Sequence, residues 1–361
     1  MIPLSVPAVS EATMPYVARL RVDPAAATDE ADAVLVVEDE EGPSFSGLHG
    51  LLTLEGVCAD ALEGDVMLVQ PDTGRAERLL RHGSSHNTLL VTERCDQLCV
   101  MCSQPPRKTH VDRFALFEQA CLLARPNIVI GITGGEPTLY KDDLFGLIER
   151  VGTVRPDIEF HVLTNAQHFE ASDVDRLRQD VFRRVSWGIP LYSNEPARHD
   201  EIVGKTGAFD RLQRSFHVLL LAGARIELRT VLIQDNIDHL PRLARLVASR
   251  LRFIESWSIM QLEKTGFARN RWAGLFVDHK VGFEPVAAAL DYALLHGKAV
   301  HLFNFPRCTV PAQYRALAPA SISDWKRKFA PACATCREQD QCCGFFEWHP
   351  DEHANAWISP L

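Results

Sequence analysis

The sequence predicts an α/β fold: a parallel sheet of about six βα units, a small β-rich region before it and a cysteine-rich lobe after it. Three observations carry this. From about residue 86, short apolar runs alternate with segments of helical periodicity. Residues 1–85 lack that alternation and read as strands and turns. Beyond about residue 300, Cys308, Cys333, Cys336, Cys342 and Cys343 crowd a short tail.

In the first region, Val34–Val37 is a β-branched run ending in an acidic, Gly- and Pro-containing turn. Val66–Val69, a turn over Pro71, Asp72, Thr73 and Gly74, and Arg75–Leu80 spell a hairpin. Its edge is expected to offer an extended peptide a place to add as a further strand.

The middle region, 86–300, then runs strand and helix in turn. Strands are expected at Leu89–Thr92, Ile128–Thr133, Phe160–Thr164, Val185–Pro190, Ile226–Ile233 and Ile254–Met260. Helices are expected at Val111–Ala124, Asp142–Val151, Ala171–Asp180, Ala208–Ala222, Leu240–Arg250 and Val286–Leu295, the last closed by Gly297. In 208–222 the stripe Phe209, Leu212, Phe216, Leu219 and Leu220 keeps helical spacing. Successive βα units make a parallel sheet with right-handed crossovers, open or curled into a partial barrel. Either way the ligand site falls at the carboxyl ends of the strands.

Composition bounds the function. The chain has 361 residues, 46% of them hydrophobic, and a net charge of −9, which disfavours a general grip on nucleic acid. The N-terminus does not read as a signal peptide, and no apolar run approaches the roughly 20 residues of a membrane span. A cytoplasmic location follows as the expectation. Ten cysteines there point to metal binding or catalysis rather than disulfides. Cys58 and Cys121 stand alone and are expected to be small buried apolar residues.

The chemistry concentrates in CDQLCVMC, where Cys95, Cys99 and Cys102 follow the first strand at C-x3-C-x2-C spacing. Three thiolates on a [4Fe–4S] cluster leave one iron open. About 30 residues on, the second strand ends in Gly134, Gly135, Glu136 and Pro137. A zinc site completed by His86 or His110 is the rival reading, but the spacing fits zinc poorly.

Those two motifs at successive strand ends resemble the radical S-adenosylmethionine (SAM) superfamily, over roughly residues 86–300. The resemblance implies a partial (β/α)6 barrel, a [4Fe–4S] cluster on Cys95, Cys99 and Cys102, and SAM on the open iron. It implies reductive cleavage of SAM to a 5′-deoxyadenosyl radical that abstracts hydrogen from a substrate, the cofactors supplying the hard step. It assigns Gly134, Gly135, Glu136 and Pro137 to the SAM amino group, with Glu136 as an acceptor. By position, Asn165 matches the ribose contact, and Ser193 and Arg229 contacts to the SAM carboxylate. Met101 stands where many members carry an aromatic residue near the adenine. The resemblance leaves the residue that quenches the substrate radical unassigned and implies an electron donor such as flavodoxin or ferredoxin.

In the tail, 301–361, Cys333-x2-Cys336-x5-Cys342 resembles the centre of the SPASM auxiliary-cluster module. Phe346 stands where a full SPASM module has another cysteine. With Cys308 the set resembles the shorter twitch form, implying a second, fully ligated [4Fe–4S] cluster. Cys342 is favoured over Cys343 because it completes the family spacing, and a four-cysteine zinc site is the alternative. Phe345, Phe346 and Trp348 are expected to pack this lobe over the barrel mouth, and His349 and His353 to be solvated.

Two further stretches, Cys102-Ser103-Gln104-Pro105-Pro106 and Ser321-Ile322-Ser323-Asp324-Trp325 followed by the cysteines and Gly344-Phe345-Phe346-Glu347-Trp348, look, together with the overall length and β-rich leader, like the maturases of the His-Xaa-Ser peptide system. That likeness implies a precursor-peptide substrate bearing His-Xaa-Ser repeats, and a companion maturase protein. The competing functions are radical SAM chemistry on a small molecule or RNA, and an iron–sulfur electron carrier or redox sensor without turnover.

Overall fold

The structure, a computed structural model, describes residues 2–361. Seven strands build the first region: β1 (Ser5–Ser10), β2 (Tyr16–Arg21), β3 (Asp32–Asp39), β4 (Gly42–Gly47), β5 (Gly50–Leu54), β6 (Val66–Gln70) and β7 (Arg75–Leu80). They close into a barrel in the order β1-β5-β4-β3-β2-β6-β7, sealed by β1 on β7. Inward residues such as Val6, Leu20, Phe45, Leu52, Leu54 and Met67 fill it. The predicted hairpin is present as β6 and β7, but it has no free edge. β6 pairs with β2, and β7 pairs with β1. Closure removes the strand edge to which a peptide was expected to add.

The second region is an open, all-parallel sheet in sequence order. Its strands are β8 (Asn87–Thr92), β9 (Val129–Gly134), β10 (Glu159–Leu163), β11 (Val185–Pro190), β12 (Arg225–Val231), β13 (Ser256–Met260) and β14 (Ala299–Phe303). This is the expected α/β partial barrel, extended by β14 beyond the six strands legible in the sequence. β14 is short and follows directly on the Gly297 turn, where φ is +70°. Its pairing with β13 from Ser256↔Ala299 to Met260↔Phe303 makes it a strand.

Among the described residues, ten α-helices flank and follow these strands: α1 (Phe114–Leu122), α2 (Lys141–Val154), α3 (Val174–Leu177), α4 (Pro196–Val203), α5 (Ala208–Ala222), α6 (Gln234–Ile237), α7 (Leu240–Arg250), α8 (Gly266–Leu275), α9 (Glu284–Leu295) and α10 (Asp351–Trp357). In α5, Phe209, Leu212, Phe216 and Leu219 are buried, whereas Leu220 faces solvent. The helix expected over 171–180 is only the single turn α3 between two 3-10 turns. Asp173, which would have continued it, is held by Lys141 Nζ at 2.8 Å and by the Glu170 N–H at 2.8 Å.

One core joins the first two regions: Val17, Val66, Leu68 and Leu80 of the small barrel pack with Leu89, Phe114 and Phe117. The tail is tied back as well, because Arg81 grips Asp324 through both guanidinium arms at 2.6 and 3.1 Å. Among the described residues, no helix is long and apolar enough to cross a membrane.

Candidate active site

The strand ends of the parallel sheet open on one cavity of about 280 Å³, lined by residues from Cys95 to Asn304. That is near the lower end of small-molecule sites, which span about 300–1,000 Å³. Cys95, Cys99, Cys102 and Met101 form one wall, and Gly134, Gly135, Asn165, Tyr192, Arg229 and Glu263 stand among the others. His86 and His110, the candidate fourth zinc ligands, do not line it.

The cysteine loop and the diglycine are built against each other. Gly135 N–H donates to the Thr92 carbonyl at 2.8 Å, and Glu136 N–H to the Arg94 carbonyl at 2.7 Å. A Cβ on Gly135 would lie 2.1 Å from the Arg94 oxygen, and one on Gly134 2.4 Å from the Thr92 oxygen. Only glycine fits this approach. Burial pushes the Cys95 thiol up to about 11, and burial with the neighbouring cysteines pushes Cys99 to about 12. Such thiols lose their protons on binding a cation.

Glu136 lies elsewhere than expected. It is fully buried and turned away from the cavity. Its Oε1 accepts from the Thr138 N–H at 2.8 Å and from the Thr138 and Thr164 hydroxyls at 2.5 and 2.6 Å. Its Oε2 accepts from the Asn165 N–H at 2.5 Å. Burial pushes this carboxyl up, against the pull of those donors. Both carboxylate oxygens are engaged by the protein, and the cavity wall here is Gly134 and Gly135. Pro137 is also buried behind that wall and opens a 3-10 turn.

Asn165 lines the cavity, but its Nδ2 donates to Asp96 Oδ1 at 2.8 Å and its Oδ1 accepts from the Gln167 N–H at 3.1 Å. Ser193 is not at the cavity; it is fully buried and its Oγ accepts from the Glu195 N–H at 3.0 Å. Its neighbour Tyr192, which sequence reasoning missed, takes the place on the wall. Arg229 does reach the cavity and is held by Glu227 at 2.9 Å. Burial opposes the Glu227 charge, but Arg229, His161 at 2.7 Å and the Ser258 hydroxyl at 2.5 Å hold its carboxyl down to about 2. Met101 packs with Ile202, Ile233 and Leu262 while still lining the cavity.

A second pocket gathers Cys308, Cys333, Cys336 and Cys342. Cys342 Sγ accepts N–H groups of Arg307 and Gly344 at 3.4 and 3.5 Å. The Cys343 thiol and those two N–H groups draw Cys342 down to about 6 in spite of burial. Cys343 does not line this pocket; it is fully buried with Ile322 and Phe346, its Sγ also lying 3.3 Å from the Gly344 carbonyl. The left-handed Gly344, φ +62°, follows the pair. Among the described residues, no three His, Cys, Asp or Glu side chains gather tightly enough to hold a single metal ion.

Between the two pockets, Gln261, Asn304, Phe345 and Phe346 line a narrow gap. Phe345 and Phe346 are buried as expected, and Trp348 packs beside Phe346. His349 is not solvated; it is buried, with Nε2 2.9 Å from His353 Nδ1. Cys121 is buried as expected, whereas Cys58 is exposed.

Against families of known proteins, residues 89–247 match the radical SAM superfamily. This stretch resembles a radical SAM domain. Domains of this family hold a [4Fe–4S] cluster and SAM, and the residues here fit both. The cavity offers three thiols and no fourth protein donor from the family motif, beside a wall of bare backbone at Gly134 and Gly135. No curated protein matches the chain. Among solved structures the chain is similar to Streptococcus suis SuiB bound to SAM, at 18% identity and a TM-score of 0.47, covering 60% of this chain and 49% of SuiB. It is similar to anSMEcpe with bound SAM, at 13% identity and a TM-score of 0.45, covering 60% of this chain and 62% of that one. A third is TYW1 with a lysine–pyruvate adduct, at 16% identity and a TM-score of 0.39, covering 56% and 70%. The chain thus spans about half the length of SuiB.

Proposed function

We propose that the protein is a radical SAM maturase that modifies a ribosomally made peptide. The observation that carries the reading is the convergence of Cys95, Cys99 and Cys102 with Gly134 and Gly135 on one cavity. In this reading the three thiolates hold a [4Fe–4S] cluster, and SAM completes the coordination of its open iron. When bound, the pair supplies a hydrogen-abstracting 5′-deoxyadenosyl radical.

The chain's own residues bind, orient and shield. Gly134 and Gly135 give SAM a backbone surface to approach closely. Arg229, held in place by Glu227, is the cation for the SAM carboxylate. Met101 packs near the adenine. Cys308, Cys333, Cys336 and Cys342 hold a second [4Fe–4S] cluster with all four irons ligated, which suits electron transfer. The substrate is a precursor peptide with His-Xaa-Ser repeats, supported by the Cys102–Pro106 and Ser321–Trp325 stretches. SuiB is also known bound to its precursor peptide SuiA, and anSMEcpe to a peptide, which makes a peptide the first class to test. Flavodoxin or ferredoxin is the electron donor, a companion maturase the protein partner, and the cytoplasm the compartment.

The test is anaerobic. Reconstituted protein with dithionite and SAM is expected to form 5′-deoxyadenosine, and Cys99→Ala is expected to form none. Equal amounts from the two would remove the reading. Co-expression with a His-Xaa-Ser peptide is expected to change the peptide's mass; no change there, with a change on another substrate, would redirect the specificity.

A further inference from the structure

The cysteine loop is gripped from outside the cavity by the end of α4. The Leu98 and Val100 N–H groups donate to the carbonyls of Val203 and Ile202 at 3.0 and 2.9 Å. The chain then turns at Gly204, where φ is +65° and a Cβ would lie 2.7 Å from the Leu98 oxygen. That turn delivers Lys205 to Asp96, the residue after Cys95, with Nζ on Oδ2. His168 Nε2 approaches the same oxygen at 3.2 Å, and Asn165 Nδ2 donates to Oδ1 at 2.8 Å. Both partners of the ion pair are about four-fifths covered, at 22% and 21% exposure, so water screens them only in part.

The geometry points to Lys205 as a positioning residue that, through Asp96, fixes the cysteine loop and sets the reduction potential of the iron–sulfur centre on it. This rests on the reading of Cys95, Cys99 and Cys102 as a cluster site. Charge beside a cluster is among the protein's levers on its potential. Reduction adds an electron to the centre, so a nearby carboxylate opposes it and a nearby ammonium favours it. Asp96 is adjacent in the chain to a ligand and cannot be moved away. Lys205 offsets its charge, and the two main-chain bonds to α4 keep the ammonium in register with it. Without Lys205 the loop would keep its carboxylate charge with only neutral donors and His168 to meet it.

The test is a redox titration of the full reconstituted chain followed by EPR, reading the signal that changes when SAM is added. That choice separates the triad centre from the C-terminal one. Lys205→Met is expected to lower the reduced-to-oxidised ratio at fixed potential, on the order of tenfold, or about 59 mV for one electron. Asp96→Asn is expected to shift it the other way, Lys205→Arg to stay near wild type, and the double variant K205M/D96N to fall between the singles. Singles that shift together, or that do not shift, overturn the inference. If K205M holds no iron, D96N decides by its sign alone: a rise supports the inference, and a fall or no change overturns it. Wild-type protein with no SAM-responsive signal would instead remove the cluster reading, and this inference with it.

Discussion

Asn165 N–H donates to Glu136 Oε2 at 2.5 Å, so the acidic residue of the Gly-Gly-Glu-Pro segment braces the ends of β9 and β10 against each other. Two of the strand ends that border the cavity share this one carboxylate. Glu136→Ala strands the Thr138, Thr164 and Asn165 donors in a buried place. At about 1–3 kcal/mol for each of these four buried donor groups, a total loss of at least about 4 kcal/mol is expected in urea unfolding of the metal-free chain. Glu136→Gln is expected to lose less. If Glu136→Gln unfolds like wild type yet no longer binds SAM, the carboxylate touches SAM and the bracing account is wrong.

The vicinal cysteines separate by burial. Cys342→Ala is expected to cost the chain about four of eight irons, whereas Cys343→Ala is expected to keep all of them. Cys343→Ala leaves a small cavity beside Ile322 and Phe346 and is expected to lower stability by about 1 kcal/mol. Iron and sulfide counts on anaerobically reconstituted protein decide the first part, and thermal unfolding the second. Iron lost from Cys343→Ala rather than Cys342→Ala would reverse the assignment.

Acid should loosen the fold well before its carboxylates protonate. Burial pushes His279 down to about 3, and His199 and His349 to about 4. Their folded values lie below the unfolded value of about 6.5, so the unfolded chain takes up protons first. The stability these neutral rings confer is complete above about pH 6.5 and is lost progressively as pH falls towards 4 and 3. The midpoint of urea unfolding is therefore expected to drop between pH 7 and pH 5. His279 bridges Gln261 at 3.2 Å and Thr309 at 2.7 Å, bonds that His279→Gln can partly replace. That variant should be less stable at pH 7 and show a slope shallower by about one proton. An unchanged slope would mean that His279 titrates normally.

Gly135→Ala places a methyl group 2.1 Å from the Arg94 oxygen. Backbone must move to admit it, and the cysteine loop moves with it. The expected result is a chain that folds, by circular dichroism, but holds less than half the iron at the triad after reconstitution. Full iron loading in this variant would show that the loop tolerates the shift.

Much of the parallel sheet was legible because buried parallel strands are near-continuous apolar runs, as in 128–132, and even 226–233 keeps Ile226, Leu228, Val231, Leu232 and Ile233 around Glu227 and Arg229. Helices α5 and α7 were legible to the residue because an apolar stripe at 3.6-residue spacing is a local property. β14 was not: Ala299–Phe303 declares itself as a strand only through its pairing with β13. Helices α4 and α8 were missed for a related reason: their apolar faces are small and pack on the cysteine loop and its surroundings rather than on the main core.

The sequence alone determined the chemistry available. C-x3-C-x2-C at one strand end, Gly-Gly at the next and a second cysteine set in the tail are covalent facts of spacing and of residues without a side chain. Only the tertiary structure decided which polar groups remain for a ligand. Glu136 and Asn165 look free in the sequence, but folding brings Thr164 to the one and Asp96 to the other, while Ser193 is taken up by the nearby Glu195 N–H and buried. A buried polar group must be paired, and pairing is settled by three-dimensional neighbours that no local pattern records. The closed N-terminal barrel follows the same rule. Its final seal, β1 on β7, joins residues some 70 positions apart, as in Ser5↔Glu77.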